Sequence, residues 1–122
     1  MKKVLIIEDE KLLRDVYAMI LKKEGYSVGL AENGKIGIDK LKSFNPDLIL
    51  LDMLMPVMDG LGFLKSAKLP KNHPAVKTII VSNLSNPITK NDSQKYGVVK
   101  TMLKVNFSPR EFVAIVKEHL PS

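Results

Sequence analysis

The segment Asp47-Leu48-Ile49-Leu50-Leu51 holds four consecutive aliphatic residues and stops at a charge, Asp52. A helix or strand with one wet face would interrupt such a run with polar residues, so it reads as a strand buried on both faces. Upstream, Val4-Leu5-Ile6-Ile7 has the same character and stops at Glu8-Asp9-Glu10; downstream, Val76 to Val81 stops at Ser82. Tyr26 to Ala31 and Val98 to Leu103, the latter ending at Lys104, read as two further strands.

The intervals are helical. Leu13, Val16, Tyr17 and Ile20 recur at helical spacing before Gly25, a C-terminal stop, and Ile38, Leu41 and Phe44 do so before Asn45-Pro46. Asn33-Gly34 would suit a hairpin, but the helical spacing that follows makes Asn33 a cap. Asp59-Gly60 opens a helix with Leu61, Leu64 and Ala67 on its apolar face, and Leu69 to Pro74 is a loop. Residues 84–96 carry Pro87 near a first turn but few apolar positions, which predicts a short, exposed, poorly anchored helix. Ser108-Pro109-Arg110-Glu111 is a capping box, and Phe112, Val113, Val116 and Leu120 form the stripe behind it. Five strands alternating with five helices predict a doubly wound α/β domain, its parallel sheet covered by helices on both faces.

The chain has 122 residues, of which 45% are hydrophobic and 26% charged, enough for one domain spanning 1–122 and no output domain. It has no cysteine, which excludes disulfides and thiolate chemistry and favours a reducing, cytoplasmic setting. No apolar run approaches a membrane span and no signal peptide is visible, so no membrane partner is expected, and three matches to the N-glycosylation pattern are read as chance. The net charge of +6 raises nucleic acid or an acidic partner. Lys22, Lys23, Lys40, Lys42, Lys65, Lys68, Lys90 and Lys95, spread over several helices, read as a diffuse solvated coat.

In open parallel sheets the ligand site lies beyond the carboxyl ends of the strands. The strand ends here carry Glu8 and Asp9, Asp52, Ser82 and Lys104. Three acids so placed repel one another unless a cation relieves them, and an all-oxygen donor set suits Mg²⁺, which accepts one or two carboxylates, a carbonyl and a phosphoryl oxygen. The two histidines, His73 and His119, do not join these acids, which disfavours zinc or iron. Ser82 can donate to a phosphoryl oxygen, and Lys104 offers a compact positive charge.

Glu8-Asp9, the run Asp52-Met53-Leu54-Met55-Pro56-Val57-Met58-Asp59-Gly60, Ser82 and Lys104 together resemble the receiver domain of two-component response regulators, in its stand-alone, single-domain form. That resemblance implies a flavodoxin-like sheet of order 2-1-3-4-5. It implies that Asp52 accepts a phosphoryl group from a histidine kinase or phosphotransfer protein. Mg²⁺ would be bound by Asp9, Asp52 and the backbone carbonyl of Leu54, with Glu8 acting through a water. Ser82 and Lys104 would hold the phosphoryl oxygens and pass the signal to a separate downstream protein. Such a protein catalyses only its own phosphorylation and dephosphorylation and is not an enzyme acting on a separate metabolite.

Three positions depart from the family pattern. Val105 follows Lys104 where a cis proline is usual; a cis bond before another residue costs roughly 2.5–4 kcal/mol, so a trans peptide is expected. Thr101 stands where the family usually has a Tyr or Phe that reports activation, and Asn83 replaces a small residue. These departures leave a receiver-like binding module with weakened switching as the alternative reading. A nucleic-acid-binding domain rests on the charge alone and is disfavoured for want of a motif, and no glycine-rich loop supports a nucleotide enzyme.

Overall fold

A computed structural model describes residues 1–104 and 107–121. Five parallel strands, β1 (Lys3–Ile7), β2 (Ser27–Ala31), β3 (Leu48–Leu51), β4 (Lys77–Ser82) and β5 (Val98–Leu103), lie in the order β2-β1-β3-β4-β5. The helices are α1 (Lys11–Lys23), α2 (Gly34–Phe44), α3 (Gly60–Ala67), α4 (Lys90–Tyr96) and α5 (Pro109–His119). Both the expected fold class and the expected strand order are what the chain adopts.

Successive side chains of a strand point to opposite faces, and the two halves of the core follow from that alternation. Val4 and Ile6 of β1 pack with Leu50, Ile79, Tyr17, Leu21, Phe112 and Val116, beneath α1 and α5. Leu5 and Ile7 pack on the other face with Ile49, Leu51, Ile80, Phe63 and Leu64, beneath α2 and α3. Every residue of β3 is buried, as its unbroken aliphatic run requires, whereas β5 is an edge strand whose Val99, Lys100 and Thr101 are exposed. No helix among the described residues is long and apolar enough to cross a membrane.

Local signals set the helix ends. Asn33 Oδ1 accepts from Ile36 N–H at 2.9 Å, Asp59 Oδ1 from Gly62 N–H at 2.8 Å, and Ser108 with Glu111 forms the reciprocal capping box. Gly25, at φ 94°, takes the left-handed conformation that turns the chain from α1 into β2.

Three readings are corrected. Pro87 is not in the first turn of α4, which starts at Lys90 because the Thr89 hydroxyl accepts from Asp92 N–H at 3.0 Å and supplies a better cap. The buried face of α3 includes Phe63, absent from the expected stripe, and Leu61 is only half-buried. The lysine coat is diffuse only in part: Lys11, Lys35 and Lys90 lie in first helical turns at the strand carboxyl ends, but several others share the opposite end. In a parallel sheet every helix runs back against the strands, so all five helix C-termini share the end opposite the strand carboxyl ends. Lys22 and Lys23, Lys42, Lys65, Lys95 and Lys117 occupy the last turns of α1 to α5 in order, and so gather at that end. The Lys104-Val105 peptide lies outside the described residues.

Candidate functional site at the strand carboxyl ends

From β1 the chain moves outward to β2 and then returns across to β3 on β1's other side, so the connections leaving these two paired strands part in opposite directions at their carboxyl ends. Glu8 and Asp9 follow β1, and Asp52 follows β3. One carboxylate oxygen from each of Glu8, Asp9 and Asp52 lies within 4.8 Å of the others. Glu8 and Asp52 are buried and Asp9 is exposed at the rim.

Lys104 reaches this cluster from the end of β5. Its Nζ lies 2.7 Å from Glu8 Oε1 and 3.2 Å from Asp52 Oδ2, with Glu10 Oε1 at 3.9 Å. The two buried acids are also held by backbone: Leu54 N–H donates to Asp52 Oδ1 at 3.3 Å, and Glu10 N–H to Glu8 Oε2 at 3.0 Å. Ser82, fully buried at the end of β4, accepts Leu84 N–H on Oγ at 3.3 Å, and its carbonyl accepts Lys104 N–H at 3.0 Å. That last bond ties the lysine's backbone to the strand end beside Asp52. The structure brings Glu8, Asp9, Asp52 and Lys104 into one cluster and sets Ser82 at its edge. Leu54 joins through its N–H, with its side chain exposed.

Burial governs the electrostatics. Desolvation pushes the Glu8 carboxyl up to about 7 despite its hydrogen bond to Lys104. Asp52 is raised for the same reason, against the pull of the Lys104 charge. Burial opposes the Lys104 charge, but the hydrogen bond to Glu8 and the charge of Asp52 outweigh it and raise its pKa. One ammonium faces three carboxylates, so the pocket lacks positive charge. Its hard oxygen donors, clustered around a common centre, fit a small dication such as Mg²⁺.

Three further residues support this cluster: Arg14, which the sequence did not single out, and Tyr17 and Gly60, which it marked only for helix spacing and for the run after β3. Arg14, one turn into α1, donates to the carbonyl of Glu8 at 2.8 Å and that of Asp9 at 3.4 Å, fixing the acidic turn. Burial and then the charge of Glu8 raise the Tyr17 hydroxyl to about 12, so it stays neutral behind the acids. Gly60 is required by close approach: a Cβ there would lie 2.6 Å from the carbonyl oxygen of Asp52. The acidic turn and the helix spacing carried no sign of these contacts, which arise only when α1 and α3 dock.

A profile described as the response regulator receiver domain matches residues 4–117. Among solved structures, the chemotaxis protein CheY4 of Vibrio cholerae is 25% identical, with a TM-score of 0.86 over 98% of this chain and 99% of that one. The response regulator TrrA of Thermotoga maritima, in complex with Mg²⁺ and BeF, is 30% identical at a TM-score of 0.82, covering 98% of this chain and 100% of that one. A CheY-like receiver domain protein of Methanospirillum hungatei is 28% identical at 0.83, covering 97% and 92%. A match over nearly the whole chain, on the fold that family requires, places this protein in the response regulator receiver domain family.

Proposed function

We propose that this chain is a phosphoryl-accepting signalling receiver with Asp52 as the acceptor. The observation that carries this reading is the buried Asp52 carboxylate, held by Leu54 N–H and Lys104 Nζ beside two further acids. Asp9, Asp52 and the Leu54 carbonyl would hold Mg²⁺, with Glu8 assisting through a water. When bound, the ion would offset charge on the incoming phosphoryl group. A solved relative that holds Mg²⁺ and BeF supports the same assignment here.

The steps taken by the chain's own residues follow from their positions. An oxygen of Asp52 attacks the phosphorus of a phosphohistidine on a histidine kinase or phosphotransfer protein. A P–O bond forms and the P–N bond breaks, leaving its electron pair on the imidazole, which takes up a proton. The Lys104 ammonium, 3.2 Å from Asp52 Oδ2, supplies fixed positive charge to the phosphoryl oxygens, and the Ser82 hydroxyl donates to one of them. Water attack on phosphorus later breaks the P–O bond, releases inorganic phosphate and restores the carboxylate. The only reaction catalysed is on the chain itself, and a separate protein receives the output. A cytoplasmic setting, in keeping with the absence of cysteine, is part of this reading.

The test is intact mass after incubation with Mg²⁺ and acetyl phosphate. Wild type should gain one phosphoryl group and Asp52→Asn none; no adduct on wild type, or the same adduct on both, ends the acceptor assignment. The exposed Thr101, with no ring to turn inward, favours a second reading in which the domain binds a partner without switching. Unchanged amide exchange after phosphorylation would select it.

A further inference from the structure

The lysine-rich end has no role in the acceptor chemistry, which occupies the opposite end of the sheet. We propose that it is a docking surface for a planar anionic surface, a bilayer bearing anionic lipid headgroups; this revises the expectation of no membrane partner, which rests on the absence of a spanning run and a signal peptide, since a peripheral contact needs neither.

Lysine at a helix C-terminus has an ordinary role in offsetting the negative end of the helix dipole. Two lysines here do that directly: Lys3 Nζ donates to Phe44 O at the end of α2, and Lys77 Nζ to His119 O at the end of α5. Lys117 is paired with Glu24 at 2.8 Å. The remaining lysines of this end make no ion pair among the described residues and are surplus to that role. Four of them, Lys65, Lys68, Lys71 and Lys95, converge on one shallow cavity of about 320 Å³ lined also by Leu69, Pro70 and Tyr96, with no acid in its wall. A single phosphate-bearing headgroup fits a recess of that size.

The layout selects the partner. The surplus lysines lie beneath helices on both faces of the sheet, in a two-dimensional array that a plane can meet at once and a single strand of phosphates cannot. Both arginines, Arg14 and Arg110, are in the first turns of α1 and α5 at the other end, so no planar fork is available here to read bases. None of the exposed large hydrophobic residues is aromatic, which removes a stacking platform for single strands. Four of the seven exposed large hydrophobic residues that a protein partner would grip, Leu12, Leu54, Val57 and Leu84, sit at the acidic end, and the other three, Met1 before β1, Met19 on α1 and Val99 on β5, form no common patch. Docked by its lysines, the domain would hold Asp52 away from the membrane and open to a phosphodonor.

The test is vesicle sedimentation of the full chain at about 0.15 M salt, comparing phosphatidylcholine with the same lipid containing about 30% phosphatidylserine. Wild type should bind only the anionic vesicles. The triple variant Lys22→Gln, Lys42→Gln, Lys68→Gln should lose at least roughly tenfold in affinity, whereas Lys35→Gln, Lys90→Gln, Lys100→Gln, equal in net charge, should change less than about twofold. Thermal melts establish that both variants fold. Asp52→Asn should bind as wild type does, so failure of the acceptor assignment would leave this result standing. Absence of wild-type binding, an equal loss in both triples, or tighter binding to duplex DNA than to the anionic vesicles would each overturn the proposal.

Discussion

Glu8 and Lys104 show what a buried charge costs and what relieves it. In the folded chain Glu8 binds its proton up to about 7, against an ordinary value of 4.5. The native state therefore holds a proton that the unfolded chain releases, and the stabilisation is complete below about pH 4.5 and lost as pH rises through about 7. At about 1.4 kcal/mol per unit the effect is of order 3 kcal/mol. Urea denaturation of the metal-free protein across this range should show the decline, and Glu8→Gln should flatten most of it. A profile unchanged by that substitution would remove Glu8 as the source. Lys104 is the counterpart. With its side chain replaced, Lys104→Gln, two buried acids lose the one ammonium that pairs with them among the described residues, and above pH 7 the metal-free variant should be less stable by about 3 kcal/mol. Millimolar Mg²⁺ should recover much of that loss if the three carboxylates bind the ion, and none of it if they do not.

Among the elements, α3 carries the closest coupling between packing and the site. A methyl group at position 60 would meet the Asp52 carbonyl at 2.6 Å and Met53 Cα at 2.7 Å, both backbone atoms that move only if the loop after β3 moves. At position 62 the nearest atom is Met58 Cγ at 3.1 Å, on a flexible, partly buried side chain that can give way. Gly60→Ala should therefore cost about 2 kcal/mol and reduce the yield of phosphorylated protein, while Gly62→Ala should stay within about 0.5 kcal/mol of wild type and phosphorylate normally. Thermal melts with the intact-mass assay separate the two. The contrast also marks where the sequence was legible. Aliphatic runs ending in a charged or polar residue located β1, β3, β4 and the site residues at their ends, because a strand buried on both faces carries few polar residues. Caps at Asn33, Asp59 and Ser108 were equally plain, since each needs only residues three apart. Phe63 escaped because Gly60-Leu61-Gly62 blurs the helical period, and Pro87 misled because the Thr89 cap is a stronger start signal than proline is.

At the scale of the whole molecule, composition supplied a net charge of +6 but no location for it. Location follows from topology, since parallel strands with returning helices send acids after β1 and β3 to one end and lysines in the last helical turns to the other. The same topology distributes stability. β1 and β3 are covered on both faces and paired on both edges, while β5 pairs only with β4 and is flanked by α4, seven residues long with Tyr96 as its buried residue. Local openings should therefore begin in α4 and β5. Lys104 sits where this weak unit meets the site, its Nζ on Asp52 and Glu8 and its N–H on the Ser82 carbonyl at 3.0 Å. A phosphoryl group that draws the ammonium to its own oxygens would weaken the Glu8 pair and pull on the end of β5. Hydrogen exchange should then show the slowest amides in β1 and β3 in either state, and changed protection on phosphorylation confined to β4, α4 and β5. Because this route runs through the Lys104 backbone, it needs no aromatic at position 101, and Thr101→Ala should leave the change intact. A change abolished by that substitution would assign the switch to the Thr101 side chain instead.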